Sequence, residues 1–238
     1  MTEQIIVIFA VTLAAFTQSL SGFGSALVAM ALLPPLLGIQ TATPLVALVV
    51  IPLEAYLIVH YRHALNISVI WRVVLVSIAG IPFGILFLTQ IDEKIVLTVL
   101  GVIISGYALF TFLRIRLPKL EHRAWGYIFG LLSGLLGGAY NTAGPPVVVY
   151  GNILGWNTAE FKSNLQGFFI LSSTVVALGH AWSGNLTPEV WRYFLISLPA
   201  IAVGILAGTR LDKYLSPETF RKIILVLLIV MGIRLILA

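Results

Sequence analysis

The chain carries one long apolar stretch twice. Residues 71–92 read WRVVLVSIAGIPFGILFLTQID, and residues 191–212 read WRYFLISLPAIAVGILAGTRLD. Ten of the 22 aligned pairs are identical, among them Trp71/Trp191, Arg72/Arg192, Gly84/Gly204, Thr89/Thr209 and Asp92/Asp212. A spacing of 120 in a chain of 238 residues means two duplicated halves rather than a solenoid of short repeats. A shorter match, GIQTA at 38–42 against GWNTA at 155–159, supports the same division. In a very apolar protein, duplicated halves point to a transporter whose site lies where the halves meet.

The chain is apolar enough for that argument to apply. Apolar residues make up 59% of it, charged residues 10%, and the mean hydropathy is +1.04. A soluble domain carries about a quarter charged residues, so this chain cannot cover a water-exposed surface. The sequence is that of an all-α integral membrane protein. It has no cysteine, which excludes disulfides, thiolate catalysis and thiolate metal sites. Of its four histidines only His60 and His63 are close in sequence, and nothing nearby completes a metal set. No metal and no cofactor is expected, and the histidines read as interfacial residues flanking membrane helices. The N-terminal MTEQ lacks the basic region of a secretory signal, so the run that follows reads as a retained first membrane segment. The net charge of +5 is modest and carries no nucleic-acid inference.

Apolar segments run over 4–33, 43–60, 67–88, 95–113, 124–150, 161–181, 188–209 and 219–237. Most approach the ~20 residues that a helix needs to span a bilayer. The first and fifth are longer. Each has glycines in its middle (SGFGS at 21–25, SGLLGGAYNTAG at 133–144) and ends in a proline pair, Pro34-Pro35 and Pro145-Pro146. The organisation predicted is a first membrane repeat over 1–113, a basic cytoplasmic linker over 114–123 and a second repeat over 124–238.

Lysine and arginine positions bear on orientation. If segments one and five each cross once, the halves are parallel. The linker side then holds Arg62, Arg72, Arg114, Arg116, Lys119, Arg123, Arg192 and Arg234, eight charges against six. If those segments are hairpins that enter and leave on one side, the second half is inverted. Lys162, Arg210, Lys213, Arg221 and Lys222 then join the linker side, while Arg192 and Arg234 leave it, and the tally is eleven against three. The expectation is therefore inverted repeats, each with a broken, re-entrant glycine-proline hairpin. Glycine and proline free backbone groups from helical bonding, which membrane depth tolerates only inside protein or at a wet cavity.

Several stretches together resemble the TauE/SafE-type sulfite exporter family, also called the four-toluene-sulfonate uptake family. They are SGFGSALVAMALLPPLLGI at 21–39, HYRHALN at 60–66, GIPFGILFLTQID at 80–92, SGLLGGAYNTAGPPVVVYGNILGW at 133–156 and GILAGTRLDKYLSPETFRKI at 204–223. The resemblance covers nearly the whole chain. It implies a multi-pass transporter of the bacterial inner (cytoplasmic) membrane that moves a small sulfur-containing anion such as sulfite, sulfoacetate or another organosulfonate. Its expected partners are that substrate and the lipid bilayer, with a homodimer left open and no nucleic acid. The first-half GFGSAL is poorer in glycine than the usual family pattern, and AYNTAGPP stands where simpler members have further glycines. These departures bear on the substrate more than on the fold.

A small oxyanion needs donors without a buried countercharge. Helix N-termini offer free N–H groups and the positive end of a dipole, and glycine lets backbone approach a ligand closely. Ser21, Gly22, Gly24 and Ser25 in the first half fit that chemistry, as do Asn141, Thr142, Gly144 and Pro145 in the second. Tight helix packing through small residues accounts for the glycines but not for Asn141. Gln18 and Gln166 are amides within apolar segments, and each is either a ligand donor or a clasp between helices. Asn164 and Ser163 are weaker cases of the same kind. Lys162 either draws anions toward the site or snorkels to the interface. Glu54 is an acid deep in an apolar segment and the candidate for proton coupling; the alternative is a structural partner or a route to the surface near His60. The glycine pairs Gly80/Gly84 and Gly204/Gly208, and the run Gly130/Gly134/Gly138, read as close helix packing. Asp92 and Asp212 read as caps, and Trp125, Trp156 and Trp182 as interface belts.

The leading reading is a secondary transporter; the alternative is an anion or small-solute channel built from the same two breaks. An enzyme is not expected: GxxxxGK[ST] and HExxH are both absent. The orientation has a direct test. A topology reporter fused after Glu160 and one fused after Lys119 are expected on the same side of the membrane; opposite sides would rule out the inverted arrangement.

Overall fold

The computed structural model describes residues 2–113, 115, 124–211 and 217–237, with side chains from Glu3 onward and, in the last helix, from Lys222. Most of the basic linker over 114–123, together with Asp212, Lys213 and the Arg221 side chain, lies outside the described residues. Among those described, every regular element is helical. The order is α1 (Thr2–Ser21), α2 (Ser25–Leu32), α3 (Pro34–Leu37), α4 (Ile39–Tyr61), α5 (Ile67–Gln90), α6 (Glu93–Phe112), α7 (Trp125–Tyr140), α8 (Gly144–Ile153), α9 (Thr158–Trp182), α10 (Pro188–Leu211) and α11 (Pro217–Leu237). A 3-10 turn, Arg62–Ala64, joins α4 to α5.

Helices α1, α4, α5, α6, α9 and α10 are each long and apolar enough to cross a membrane. The two long glycine-bearing segments are both interrupted. The first becomes α1 and α2, parted at Gly22–Gly24, with the one-turn α3 after it; the second becomes α7 and α8, parted at Asn141–Ala143. The proline pairs do not make these breaks. Pro34 and Pro35 occupy the first turn of α3, and Pro145 and Pro146 the first turn of α8, where a missing N–H costs nothing.

Large apolar side chains cover the outside, as lipid requires: Phe9 on α1, Leu75 and Phe83 on α5, Leu195 and Val203 on α10 are all well exposed. On α5 the buried face is Val73, Ser77, Gly80, Ile81, Gly84 and Leu88, a helical stripe turned inward. It meets α7 backbone to backbone. Gly130 faces Val73, Gly134 faces Ser77 and Gly138 faces Ile81, at a constant offset along both chains, so α5 and α7 run parallel. The second copy of the same helix, α10, does the same with α1: Gly204 faces Thr12 and Ala15, and Gly208 faces Phe16 and Ser19. The repeated GxxxG spacings therefore act as helix seams. In lipid there is no hydrophobic drive to join two apolar helices, and close approach of backbones supplies the attraction instead.

The central pair is α4 and α9, which run antiparallel: Ser163 near the start of α9 meets Tyr61 at the end of α4, while Ser173 meets Glu54 further back along α4. Local signals start two helices, the first of them read from the sequence. The Asp92 side chain accepts from Lys94 N at 2.9 Å and caps α6. Asn157 and Glu160 close a capping box on α9. Two expectations change. His180 is not interfacial: it is fully buried at the end of α9, its Nδ1 3.0 Å from the Asn185 amide. Trp156 turns inward against Tyr150 and Phe161, whereas Trp182 is 94% exposed.

The seams predict unequal tolerance among glycines. A Cβ on Gly130 would sit 2.6 Å from the Val73 carbonyl oxygen, whereas one on Gly106 meets nothing within 4 Å. Gly130→Ala is expected to destabilise the protein by about 1–3 kcal/mol through overpacking. Gly106→Ala should stay within about 0.5 kcal/mol. Thermal unfolding of the two purified variants in one detergent checks this.

Candidate functional site

The first break forms because α1 runs out of helix at Ser21. Its hydroxyl lies 2.7 Å from the Thr17 carbonyl and 2.6 Å from that of Phe23, tying the last turn of α1 to the break. Gly22 has φ 85° and Gly24 φ 104°, conformations that a side chain would strain. The chain is thereby turned so that α2 starts at Ser25. Gln18, one turn earlier, holds that start: its Oε1 accepts from the Ser25 hydroxyl and, at 3.4 Å, from Ser25 N. Its Nε2 donates to Gln166 Oε1 at 3.3 Å, and Gln166 Nε2 donates to the Gly22 carbonyl at 2.6 Å. Gln18 and Gln166 thus clasp the break to α9.

The second break is held differently. Asn141 caps α7 in the left-handed region, at φ 55°, alone among the described non-glycine residues. Asparagine is the side chain that best tolerates this. Its Nδ2 donates to the Thr43 carbonyl of α4 at 2.7 Å. The amide expected to face a ligand is therefore engaged with backbone. After Thr142 and Ala143, α8 begins with Gly144, Pro145 and Pro146. The prolines have no N–H, so the backbone donors at this terminus reduce to Ala143 and Gly144.

Both breaks open on one small cavity of about 20 Å³. It is lined by Gln18, Gly24, Ser25, Ala26 and Leu27 from the first, and by Asn141, Thr142, Ala143 and Gly144 from the second. Glu54 and Val50 of α4, Phe169 and Ser173 of α9, and Phe23 complete it. That volume admits about one water molecule. Thr142 is 1% exposed and Glu54 3%. Ser173 Oγ donates to Glu54 Oε1 at 3.1 Å, but Glu54 Oε2 and Thr142 Oγ1 have no hydrogen-bond partner among the described residues. Polar atoms this deeply buried are nearly always paired, so two orphans on one cavity mark a place for a polar guest. The first-turn N–H groups of Ala26 and Leu27 add donors that α2 itself cannot satisfy. His60, weighed as the route from Glu54 to the surface, instead stacks on Tyr56 at 5.9 Å between ring centroids.

A larger cavity of about 330 Å³ adjoins the first break. Ser21, Thr17, Asn152, Thr158 and Lys162 give it polar points, and Phe23, Tyr107, Trp156 and Phe161 an aromatic wall. Lys162 Nζ lies 3.4 Å from the Tyr61 hydroxyl, above that ring. Of the residues singled out from sequence, Gln18, Gly24, Ser25, Glu54, Asn141, Thr142 and Gly144 line the inner cavity and Ser21 lines the outer one. Gly22, Pro145 and Gln166 line neither. Asn164 Oδ1 accepts from Asn66 N at 2.8 Å, and Ser163 Oγ donates to the Tyr61 carbonyl at 2.5 Å, so both join helices. Sequence reasoning placed Phe23 within the first site stretch but missed Ser173 and Phe169. The run Ser172-Ser173-Thr174 in an apolar segment was the available signal for the first; the aromatic had none.

Membrane-length helices enclose a buried cavity where the two helix breaks meet, an arrangement that suits a multi-pass membrane transporter. The chain belongs to the sulfite exporter TauE/SafE family, which it matches over residues 7–235. It is 26% identical over 233 residues to the "Probable sulfite/organosulfonate exporter TauE" of Cupriavidus necator, covering 93% of this chain and 89% of that one. It is 24% identical over 175 residues to the "Probable inner membrane transporter protein TsaS" of Comamonas testosteroni, covering 69% and 72%. A third relative, the "Probable membrane transporter protein y4hK" of Sinorhizobium fredii, is 31% identical over 113 residues, 47% and 43% of the two chains. No solved structure matches the chain significantly.

Gln166→Leu leaves the Gln18 amide and the Gly22 carbonyl without their partner. A loss of about 1 kcal/mol is expected, in line with interhelical bonds in membranes. It is to be read as a lower unfolding temperature in detergent.

Proposed function

We propose that the protein is a secondary exporter of a small sulfur-containing anion, such as sulfite, sulfoacetate or another organosulfonate, in the bacterial inner membrane. The inner cavity is its binding site. The observation that carries this reading is the meeting of two helix breaks, about 120 residues apart in sequence, on one cavity that holds two unpartnered polar atoms. The Thr142 hydroxyl and the N–H groups of Ala26, Leu27, Ala143 and Gly144 are donors that suit oxyanion oxygens. The names of the relatives agree in naming transporters, and one of them names this substrate class.

In this reading the halves, 1–113 and 124–238, are inverted repeats and the two breaks are the tips of re-entrant hairpins. Supporting this, the equivalent helices α4 and α9 run antiparallel, and each duplicated helix pairs with the broken helix of the other half, α5 with α7 and α10 with α1. A two-fold axis in the membrane plane generates all three pairings at once. The inner cavity as it stands holds about one water, so loading it requires the breaks to part. That favours a carrier over a channel.

Glu54 is the coupling element. An ionised carboxylate and an anion in one small apolar cavity repel strongly, so the anion enters only while Glu54 holds a proton. In proteoliposomes, transport of sulfite or a sulfonate is expected to rise as the pH falls on the side of substrate binding. Glu54→Gln, which mimics the protonated acid, should flatten that profile; an unchanged profile would remove Glu54 from coupling. Thr142→Val keeps the shape and removes the hydroxyl. It should weaken substrate binding by about tenfold, the value of one hydrogen bond to a charged group. A sulfite and sulfonate panel read by thermal shift and by flux checks both, and silence across the panel would overturn the substrate class.

A further inference from the structure

The inner and outer cavities share three wall residues, Phe23, Gly24 and Leu27. Gly24 has no side chain, and Leu27 is locked within α2 at 1% exposure. Phe23 is the aromatic side chain between the two spaces, and it is only partly buried. It stands on a three-residue link between two helices, flanked by Gly22 and Gly24, both at positive φ. Small residues that absorb backbone rotation are what a hinge is made of. The Phe23 carbonyl is tied to the Ser21 hydroxyl, while its ring is held by edge contacts. The ring meets Tyr107 at 6.1 Å and 86°, and Phe161 at 6.2 Å and 79°. Neither ring contact is a hydrogen bond. The middle residue of the second break is Thr142, so an aromatic stands at one break alone.

We propose that Phe23 is a one-sided gate: its ring closes the inner cavity against the outer one, and swinging it aside admits the substrate. The outer cavity is then the waiting room of the transport path. At about 330 Å³ it can hold an organic anion, with Lys162, Thr158 and Asn152 for the charged group and the aromatic wall for the remainder. Access to the inner cavity from the opposite face has to be controlled by movement of whole helices rather than by a single ring. The gate rests on the inner cavity being the binding site only in what it admits; the closure itself is a matter of geometry.

The absence of cysteine makes the test direct, since a single introduced thiol is the only one present. Ala26→Cys places it in the inner cavity, and Asn152→Cys places a control in the outer one. Each is treated with a membrane-impermeant methanethiosulfonate in vesicles of either orientation. In the Ala26→Cys background, Phe23→Ala is expected to speed labelling by about tenfold or more, as when a state populated at a few per cent becomes the rule. The acceleration is expected from one membrane face only. Phe23→Leu should fall between, Phe23→Trp should remain slow, and Asn152→Cys should label fast whatever stands at position 23. Should the alanine variant fail to fold, the leucine and tryptophan variants decide the matter by themselves. Rates at Ala26→Cys that ignore the side chain at 23, or rise equally from both faces, would overturn the gate. Sulfite and sulfonates are then added to the Phe23→Ala form. Protection of the thiol supports the gate and the site together. Fast labelling with no protection keeps the gate and removes the inner cavity as the substrate site.

Discussion

Everything in this structure follows from the cost of leaving a backbone amide or carbonyl unpaired where there is no water. A helix satisfies its own backbone, so the chain is nearly all helix. Where a helix stops inside the protein, its loose ends must be answered by something else. At the first break the answer comes from amide side chains, Gln18 holding the start of α2 and Gln166 holding the Gly22 carbonyl. At the second it comes from Asn141, which adopts the left-handed turn itself and donates to the α4 backbone. Amide side chains thus hold both breaks. Two polar atoms stay unpaired in the space between them, and that space is the candidate site.

The two seams that carry this arrangement are built from the duplicated helices. Glycines and serines let α5 lie against α7, and α10 against α1, at backbone distance. Each seam joins a rigid helix of one half to the broken helix of the other. Displacing either pair therefore moves a helix break, which is the coupling an alternating transporter needs between scaffold and site. The asymmetry lies at the tips. The first carries Phe23 between two glycines and retains the N–H groups of its helix terminus. The second carries Asn141 and Thr142 and loses donors to two prolines. In the proposed two-fold arrangement, unlike tips let the first half supply backbone donors and an aromatic ring while the second supplies a hydroxyl.

Much of this was legible in the order of residues. The glycine breaks were visible because glycine in the middle of an over-long apolar run has little other use. Their partnership was visible because the two runs recur at one spacing. Glu54 stood out as an acid where acids are costly, and the GxxxG spacings announced seams. The roles of the amides were not legible. Gln18 and Gln166 were equally good as ligand donors or as clasps, and only their mutual distance showed that they hold each other. Asn141 looked like a donor to substrate and instead serves as a cap, because a left-handed residue directs its side chain according to local backbone geometry that no spacing rule conveys.

The sequence by itself determined the class of the protein, its division into two halves, the positions of both helix breaks and the membership of its family. These depend on composition and on local chain chemistry, which are written one residue at a time. The tertiary structure decided which faces meet: that the breaks share one cavity, that Thr142 Oγ1 and Glu54 Oε2 are left unpartnered in it, and that Phe23 stands between it and a larger chamber. Those facts arise from the crossing of α4 with α9 and from the parallel seams of the duplicated helices. They are contacts between residues far apart in the chain, 57 positions for Gly130 and Val73 and 102 for Ser163 and Tyr61, and nothing local encodes them.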